Sequence, residues 1–598
     1  MRRLKLISFV VPAILVFAFS ITPASAAGSG VGNLPQGTQT DAAYAASAAA
    51  NHVKNVFATS QQTSCYRPEV PYFGNLGPTA GDGYSGMTAC GNAATTGEDI
   101  GATPYPTQVG SNAGFPATTP MLVKNHSESD LRVDPTNPKH LIGSSKWAVS
   151  AEGYNHALGF FESWDGGKTW PLQGHIPGYE GWTDNTDPVG AFDSFGNYYS
   201  LILPYEFFYT STGGHSFKTN PNIEPNPSVP AEAITVAIRK HGATAADDWT
   251  SNRAGAMDVV APYPAKGREP DKQWITIDLN PASPHFNRVY AMWTVFDSLA
   301  AAPFVAFADA NADGTHTAWS SPIKLPTAGN NPQGDTYLLP HVDGNGTVFT
   351  TLTNFADKST LTSILLDRSI DGGASWQSVS NVISHVSAPP LIYPNTNFRD
   401  GIEDTFAVGA KRLANGTYPL YVSWEDYSIG FGNLILSASY DGGQTWSAPI
   451  QVNDNANPNI DAVQPNLTAA SDGTVVVAFY DRRLACPTDP TEAASAGLGL
   501  DPNNPAGRTN YCINAGVQLY DANLNPLGNN IRISLHTWDP QLNSMKPAGI
   551  GRFEGFIGDY YGNITSGTID YTTSVSTFDD GSNPNHFQQQ VVATLTIP

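Results

Sequence analysis

The octet SWDGGKTW (163–170) recurs as SIDGGASW (369–376) and SYDGGQTW (439–446), agreeing at Ser, Asp, Gly, Gly and Trp. One such stretch alone would suit a sugar-cutting acid, Asp165, between aromatic stacking platforms. Repetition argues against that, because a catalytic acid is needed once. Each residue type also has a structural task. Paired glycines permit the positive φ of a tight hairpin. The Asp accepts hydrogen bonds from N–H groups just ahead of it, and the Trp falls on the next strand, where it can pack over the turn. Asp165, Asp371 and Asp441 are therefore read as structural.

Asp371 and Asp441 stand about 70 residues apart, and Asp165 lies close to three such steps before Asp371. Worn copies, TSTGGHSF (210–217) and NADGTHTAWSSP (311–322), fill the gap, and another surrounds Asp521. A second element, an acid followed by alternating apolar residues, a turn and another strand, starts near residues 127, 186, 270, 334, 402, 461 and 556. Four short strands per unit, repeated in this way, specify an all-β chain folded as a β-propeller. Seven blades fit better than six, with a C-terminal strand around 587–598 helping to close the ring. The expected organisation is a signal peptide over 1–26, an irregular Ala/Gly/Pro-rich arm over 27–120 and the propeller over 121–598. The arm holds one candidate helix, 41–58, with Asp41 as its cap.

The leader has a basic start (Arg2, Arg3, Lys5), an apolar run broken by Pro12, and Ala24-Ser25-Ala26 at the cleavage position. It is too short for a span, and no later stretch approaches one, so the chain is expected to be exported without membrane insertion and to work as a monomer. The formal net charge is −22, which excludes a nucleic-acid-binding role, since that requires clustered Lys and Arg. Four cysteines in two local pairs, Cys65 with Cys90 and Cys486 with Cys512, read as loop-stapling disulfides of an oxidising compartment.

The Ser-x-Asp-x-Gly-x-x-Trp element resembles the Asp-box, or BNR repeat, of the sialidase superfamily, over roughly residues 120–598. The resemblance implies boxes on the turn between a blade's third and fourth strands, away from the active site. It also implies a secreted propeller that acts on or recognises glycans, as an exo-acting glycoside hydrolase of the exo-α-sialidase type. The alternative is a non-catalytic propeller serving as a binding or cell-surface scaffold, since such members share the box.

Sialidases hold an anionic sugar with three arginines, attack it with a tyrosine assisted by a glutamate, and use an aspartate as acid/base. The Arg-Ile-Pro usual near their start is absent here, although LRVDP (131–135) puts Arg132 near the expected point. On blade spacing the clamp would be Arg132, Arg399 and Arg552, with Arg268 as a further candidate. Arginines all engaged by neighbouring acids would speak against it. The dense stretch RFEGFIGDYYG (552–562) supplies Glu554 with Tyr560 or Tyr561 as the nucleophile pair.

Independently of that family, nearly every blade start carries a carboxylate, Asp271, Asp404 and Asp559 among them. Acids crowded at one mouth raise one another's pKa, as glycoside cleavage needs. Trp147, Trp274 and Trp424 are candidate sugar platforms. No cofactor is required by this chemistry. DANADG (309–314) matches the opening of a calcium loop through Asp309, Asn311 and Asp313, but Ser320 stands where such a loop needs a bidentate Glu.

Overall fold

The structure is a computed structural model that describes residues 40–59, 65–68, 85–87, 121–122, 125–148, 157–179, 184–205, 208–209, 215–216, 232–263, 268–297, 301–326, 335–354, 361–390, 393, 398–400, 404–498, 511–540, 556–584 and 586–598. Among them, seven four-stranded antiparallel sheets form a seven-bladed β-propeller. The first strands of blades 1 to 7 are Asn125–Asp134, Asp184–Phe192, Arg268–Ile277, Asp335–Val342, Thr405–Val408, Ala462–Ala469 and Asn563–Ser566. Each packs against the first strand of the next blade, and that of blade 7 packs against that of blade 1, so the first strands line the axis. These starts coincide with the seven expected from sequence.

Second strands read as continuous apolar runs because both of their faces are covered by neighbouring blades. Val475–Asp481, VVVAFYD, is buried at every position. Blade 7 corrects the expected closure. Gln589–Thr596 is its third strand, and the fourth is Lys54–Phe57, paired antiparallel from Lys54↔Thr594 to Phe57↔Val591. The ring is therefore closed from the N-terminal side, by part of the segment expected to be an irregular arm. Helix Asp41–Ala50 precedes that strand and is capped by Thr40, not by Asp41. Its Tyr44 is fully buried, with the guanidinium groups of Arg483 and Arg532 at 4.7 and 5.9 Å from its ring.

All three octets lie on turns between third and fourth strands. Asp165 Oδ1 accepts from the backbone N–H groups of Lys168 and Thr169, and Gly167 N donates to Ser163 Oγ, each at 2.9 Å. Asp441 repeats this pattern with Gln444 and Thr445, and Asp371 with Ser375. The second glycine of each octet lies against the preceding blade. A Cβ on Gly443 would meet Leu366 Cδ2 at 2.1 Å, and one on Gly373 would meet Phe307 and Tyr290 at 3.1 Å. The octet thus fastens one blade to the one before. Asp521 makes the same kind of turn in blade 6 with Asn523 and Asn525. The copy at 210–217 does not: its described residues His215–Ser216 pair with Phe208–Tyr209, between the second and third strands of blade 2.

The Cys486–Cys512 disulfide is formed, with Cα atoms 5.1 Å apart, and staples the connection between the second and third strands of blade 6. The side chain of Cys65, all of Cys90 and the leader 1–26 lie outside the described residues. Among the described residues no helix is long and apolar enough to cross a membrane.

Candidate functional site

Five first strands break register with their partners at a corresponding point, between Ser127 and Asp130, opposite Leu201–Leu203, and at Asp271–Trp274, Thr336–Leu339 and Val463–Asn466; that of blade 1 breaks again at Val133–Asp134. At each break one non-glycine residue adopts positive φ: Glu128 (49°), Asp187 (54°), Lys272 (54°), Tyr337 (59°) and Gln464 (50°). Such a backbone costs about 1–3 kcal/mol per residue and persists where the surroundings impose it. A bulge also re-aims a side chain out of the strand's alternation. Here the bulges sit at the same level of five blades, opposite the octets, and turn charged or aromatic groups toward one mouth of the axis.

Lys146, from the second strand of blade 1, places Nζ 2.5 Å from Glu128 and 2.7 Å from Asp187. Lys272 lies 2.8 Å from Asp559, which also pairs with Arg399. The Asp559 N–H donates to Glu128 at 3.2 Å, and Thr186 Oγ1 donates to Asp187 at 2.5 Å. The carboxyls of Glu128 and Asp271 both lie against that of Asp187. The cations are the more exposed layer: the side chains of Lys146, Lys272 and Arg399 are 11–22 % accessible, whereas those of Glu128, Asp187 and Asp559 are 1–9 %.

Burial works against ionisation of Asp187, but Lys146 and Lys272 outweigh it and hold its carboxyl far below the usual range. Arg399 and Lys272 do the same for Asp559. Glu128 moves the other way: burial and the adjacent Asp187 push it up against the pull of Lys146. Asp271 is likewise raised by burial and by Asp187, against the pull of Lys272. Touching carboxyls cannot both ionise readily, so charge on Asp187 disfavours charge on Glu128 and Asp271. Three cations thus share the mouth with two carboxyls held low, Asp187 and Asp559, and two pushed up, Glu128 and Asp271.

Below this layer the axis opens into a cavity of about 280 Å³ lined by all seven blades, with Arg132, Trp274, His341, Asp404 and Tyr560 among its walls. Arg132 is 2.6 Å from Asp130 and donates to the Gly190 carbonyl at 2.8 Å, which ties it into the wall. Asp404 accepts from Thr353 at 3.0 Å, and burial raises its carboxyl to about 6. Burial and Arg132 lower His341 to about 4.

The expected site residues separate accordingly. Asp271, Asp559 and Arg399 meet at the mouth, while Asp404 and Arg132 lie deeper. Arg268 is exposed at the rim, over the Tyr263 ring at 6.0 Å. Arg552 and Glu554 lie outside the described residues. Of the expected arginine clamp, Arg132 pairs with Asp130 in the cavity wall and Arg399 with Asp559 at the mouth. Tyr560 and Tyr561 are buried; Tyr560 donates to the Pro188 carbonyl at 3.3 Å, and Tyr561 packs edge-on to Tyr480 in the core. Both line the axial cavity. Tyr337 lies at the level of the mouth, with its ring 5.2 Å from Lys272 Nζ. Trp424 is core, Trp274 stands edge-on to Tyr560 in the cavity wall, and the Trp147 side chain lies outside the described residues.

The calcium candidates are otherwise engaged. Arg288 holds Asp309 at 2.7 Å, Asn311 donates to Thr315, and Asp313 accepts from Thr315 as a turn acid. No group of three His, Cys, Asp or Glu among the described residues is placed to hold a metal.

No protein-family model and no curated protein matches the chain. Solved structures similar to it include a polysaccharide lyase, Uly1, at 9 % identity and TM-score 0.43, covering 91 % of this chain and 99 % of that one. A leech intramolecular trans-sialidase is similar at 11 % and 0.36, over 60 % and 65 % of the two chains. An α-L-arabinanase of Penicillium chrysogenum is similar at 11 % and 0.35, over 68 % and 92 %. Likeness at this level bears on neither substrate nor activity.

Sequence reasoning missed Lys146, Lys272 and Tyr337. Lys146 was readable in principle, as a lysine inside a second strand whose neighbours are otherwise small or apolar. The bulges had no such signal, because a one-residue slip leaves no mark on a short alternating pattern.

Proposed function

We propose that the protein is an exported, glycan-acting propeller that cleaves a glycosidic bond next to an acidic group of its substrate. The observation that carries this reading is the layer in which the Asp187 carboxyl, held low, lies against those of Glu128 and Asp271, both pushed up, under Lys146, Lys272 and Arg399. Carboxyls driven apart in pKa are the acid and base of glycoside hydrolysis. Cations at the mouth would oppose an oxocarbenium-like transition state unless the substrate brings its own negative charge, which favours a carboxylated sugar. Asp271 is more exposed than Glu128 and is the proton donor to the glycosidic oxygen as the C–O bond breaks. Tyr337, beside Lys272 and Arg399, is the nucleophile in the manner the Asp-box resemblance implies. Its phenol proton passes to a neighbouring carboxylate of the layer as its oxygen bonds C1. In the second step ionised Asp271 takes a proton from the water that attacks C1, while the phenol recovers its own as it leaves. The disulfide fits an oxidising compartment.

The test is a screen of the purified protein against aryl glycosides with and without a carboxylate on the sugar. Asp271→Asn should lower hydrolysis by about 10²–10⁴-fold, and Tyr337→Phe should abolish the covalent intermediate in trapping experiments. Hydrolysis within twofold of wild type in Asp271→Asn would remove the assignment. The second reading, a non-catalytic glycan-binding propeller, is favoured by one observation: each cation of the mouth already meets an internal acid. Binding of acidic glycans without turnover would establish it.

A further inference from the structure

Beside the cationic layer lies a part of the mouth with the opposite character. Tyr205, Glu232 and Tyr263 are direct cross-strand neighbours at the upper edge of blade 2, so their side chains share one face. Glu232 is 5 % exposed, and its buried Oε2 has no hydrogen-bond partner. The charged groups nearest to it are Glu269 and Asp271 of blade 3. Tyr205 feels Asp271, Glu232, Asp187 and Glu269, all acidic. Among the described residues no Lys, Arg or His pairs with Glu232 or Glu269, and Arg268 reaches only the Tyr263 ring. A buried carboxyl oxygen without a protein partner is costly, and a donor group seated against it would relieve that cost.

Three occupants can be weighed. An anion is repelled. A metal ion is disfavoured, because these acids are not among any group placed to hold one. An ammonium group has three donors that reach separate oxygens without fixed coordination angles, and the Tyr205 and Tyr263 rings suit a cation. We propose that Glu232 and Glu269, beside Asp271, form a subsite for a protonated amine, that of an amino sugar whose nitrogen is unacylated. The proposal rests on reading this mouth as a glycan site. Asp271 and Lys272 are adjacent, so one ligand can direct a carboxylate to the lysine side and an amine to the Glu232 side. Burial and its acidic neighbours push the Glu232 carboxyl well up. Seating an ammonium against it ionises the carboxyl, and the proton passes to the buffer.

Calorimetric titration of the full chain with fully deacetylated chitotriose and with its N-acetylated counterpart, in two buffers of different ionisation enthalpy, tests this. The deacetylated form should bind about tenfold tighter or better and release protons. Glu232→Gln, and separately the half-exposed Glu269→Gln, should each remove most of that preference. Equal affinity for the two sugars, or a preference untouched in both variants, overturns the subsite. Aryl glycuronides titrated in parallel separate the two ideas: if they bind while the amine gives no preference, only the subsite fails. If no glycan of any kind binds, the glycan reading fails and the subsite with it.

Discussion

Asp187 has a left-handed backbone, a lysine on either side and an acid whose carboxyl is pushed up on either side, and no single-residue rule would place it there. Its strain, the bulge and the two pKa shifts next to it have one origin, the crowding of first strands around an axis. Gly443 shows the same crowding at the opposite face. Its φ of +87° and the 2.1 Å approach to Leu366 leave no room for a methyl group. Gly443→Ala should destabilise the protein by about 2–4 kcal/mol, read from the midpoint of denaturant unfolding; a change under about 0.5 kcal/mol would mean that the blade contact yields. The octet was legible because Asp, Gly, Gly and Trp are each demanded by their local geometry. Lys272 was not, because its role depends on three other blades.

Blades 1 and 2 are also joined by a chain of charges near the octet face. His140 lies 2.9 Å from Asp134 and 2.7 Å from Glu162, and Arg239 of blade 2 lies 2.7 Å from the same Glu162. Burial alone would lower the imidazole pKa, but its hydrogen bonds to Asp134 and Glu162 outweigh burial and raise it to about 9. The folded value is above the unfolded one, so the stabilisation is complete below about pH 6.5 and is lost as pH rises through about 9. It amounts to about 3 kcal/mol. Thermal melts of wild type should fall over that window, and His140→Gln should melt lower at pH 6 with a flatter profile; an unchanged slope would discount the pair. Strand starts were legible through the period of acids and apolar residues. The degenerate octet at 210–217 misled because turn residues suit any hairpin, including one inserted within a blade.

At the scale of the ring, the number of blades could be read from seven starts, but the origin of the last strand could not. Lys54–Phe57 alternates too briefly to announce its partner, and only packing against Gln589–Thr596 assigns it. Tyr44, on the helix that precedes it, anchors this closure between two guanidinium groups. Tyr44→Ala should therefore cost about 3–5 kcal/mol and raise protease sensitivity first around blade 7; unfolding that remains cooperative, with no early cleavage there, would deny the anchor its place. Thr59 and Gln590, bonded across this seam, are 531 residues apart in sequence. As the chain folds, its early segment must wait for the final strands, while the Gln589–Thr596 edge has no other neighbour to pair with. The latest step of folding and the earliest of unfolding then fall at the same seam. A chain interrupted before that step carries an open sheet edge and is the form most exposed to aggregation.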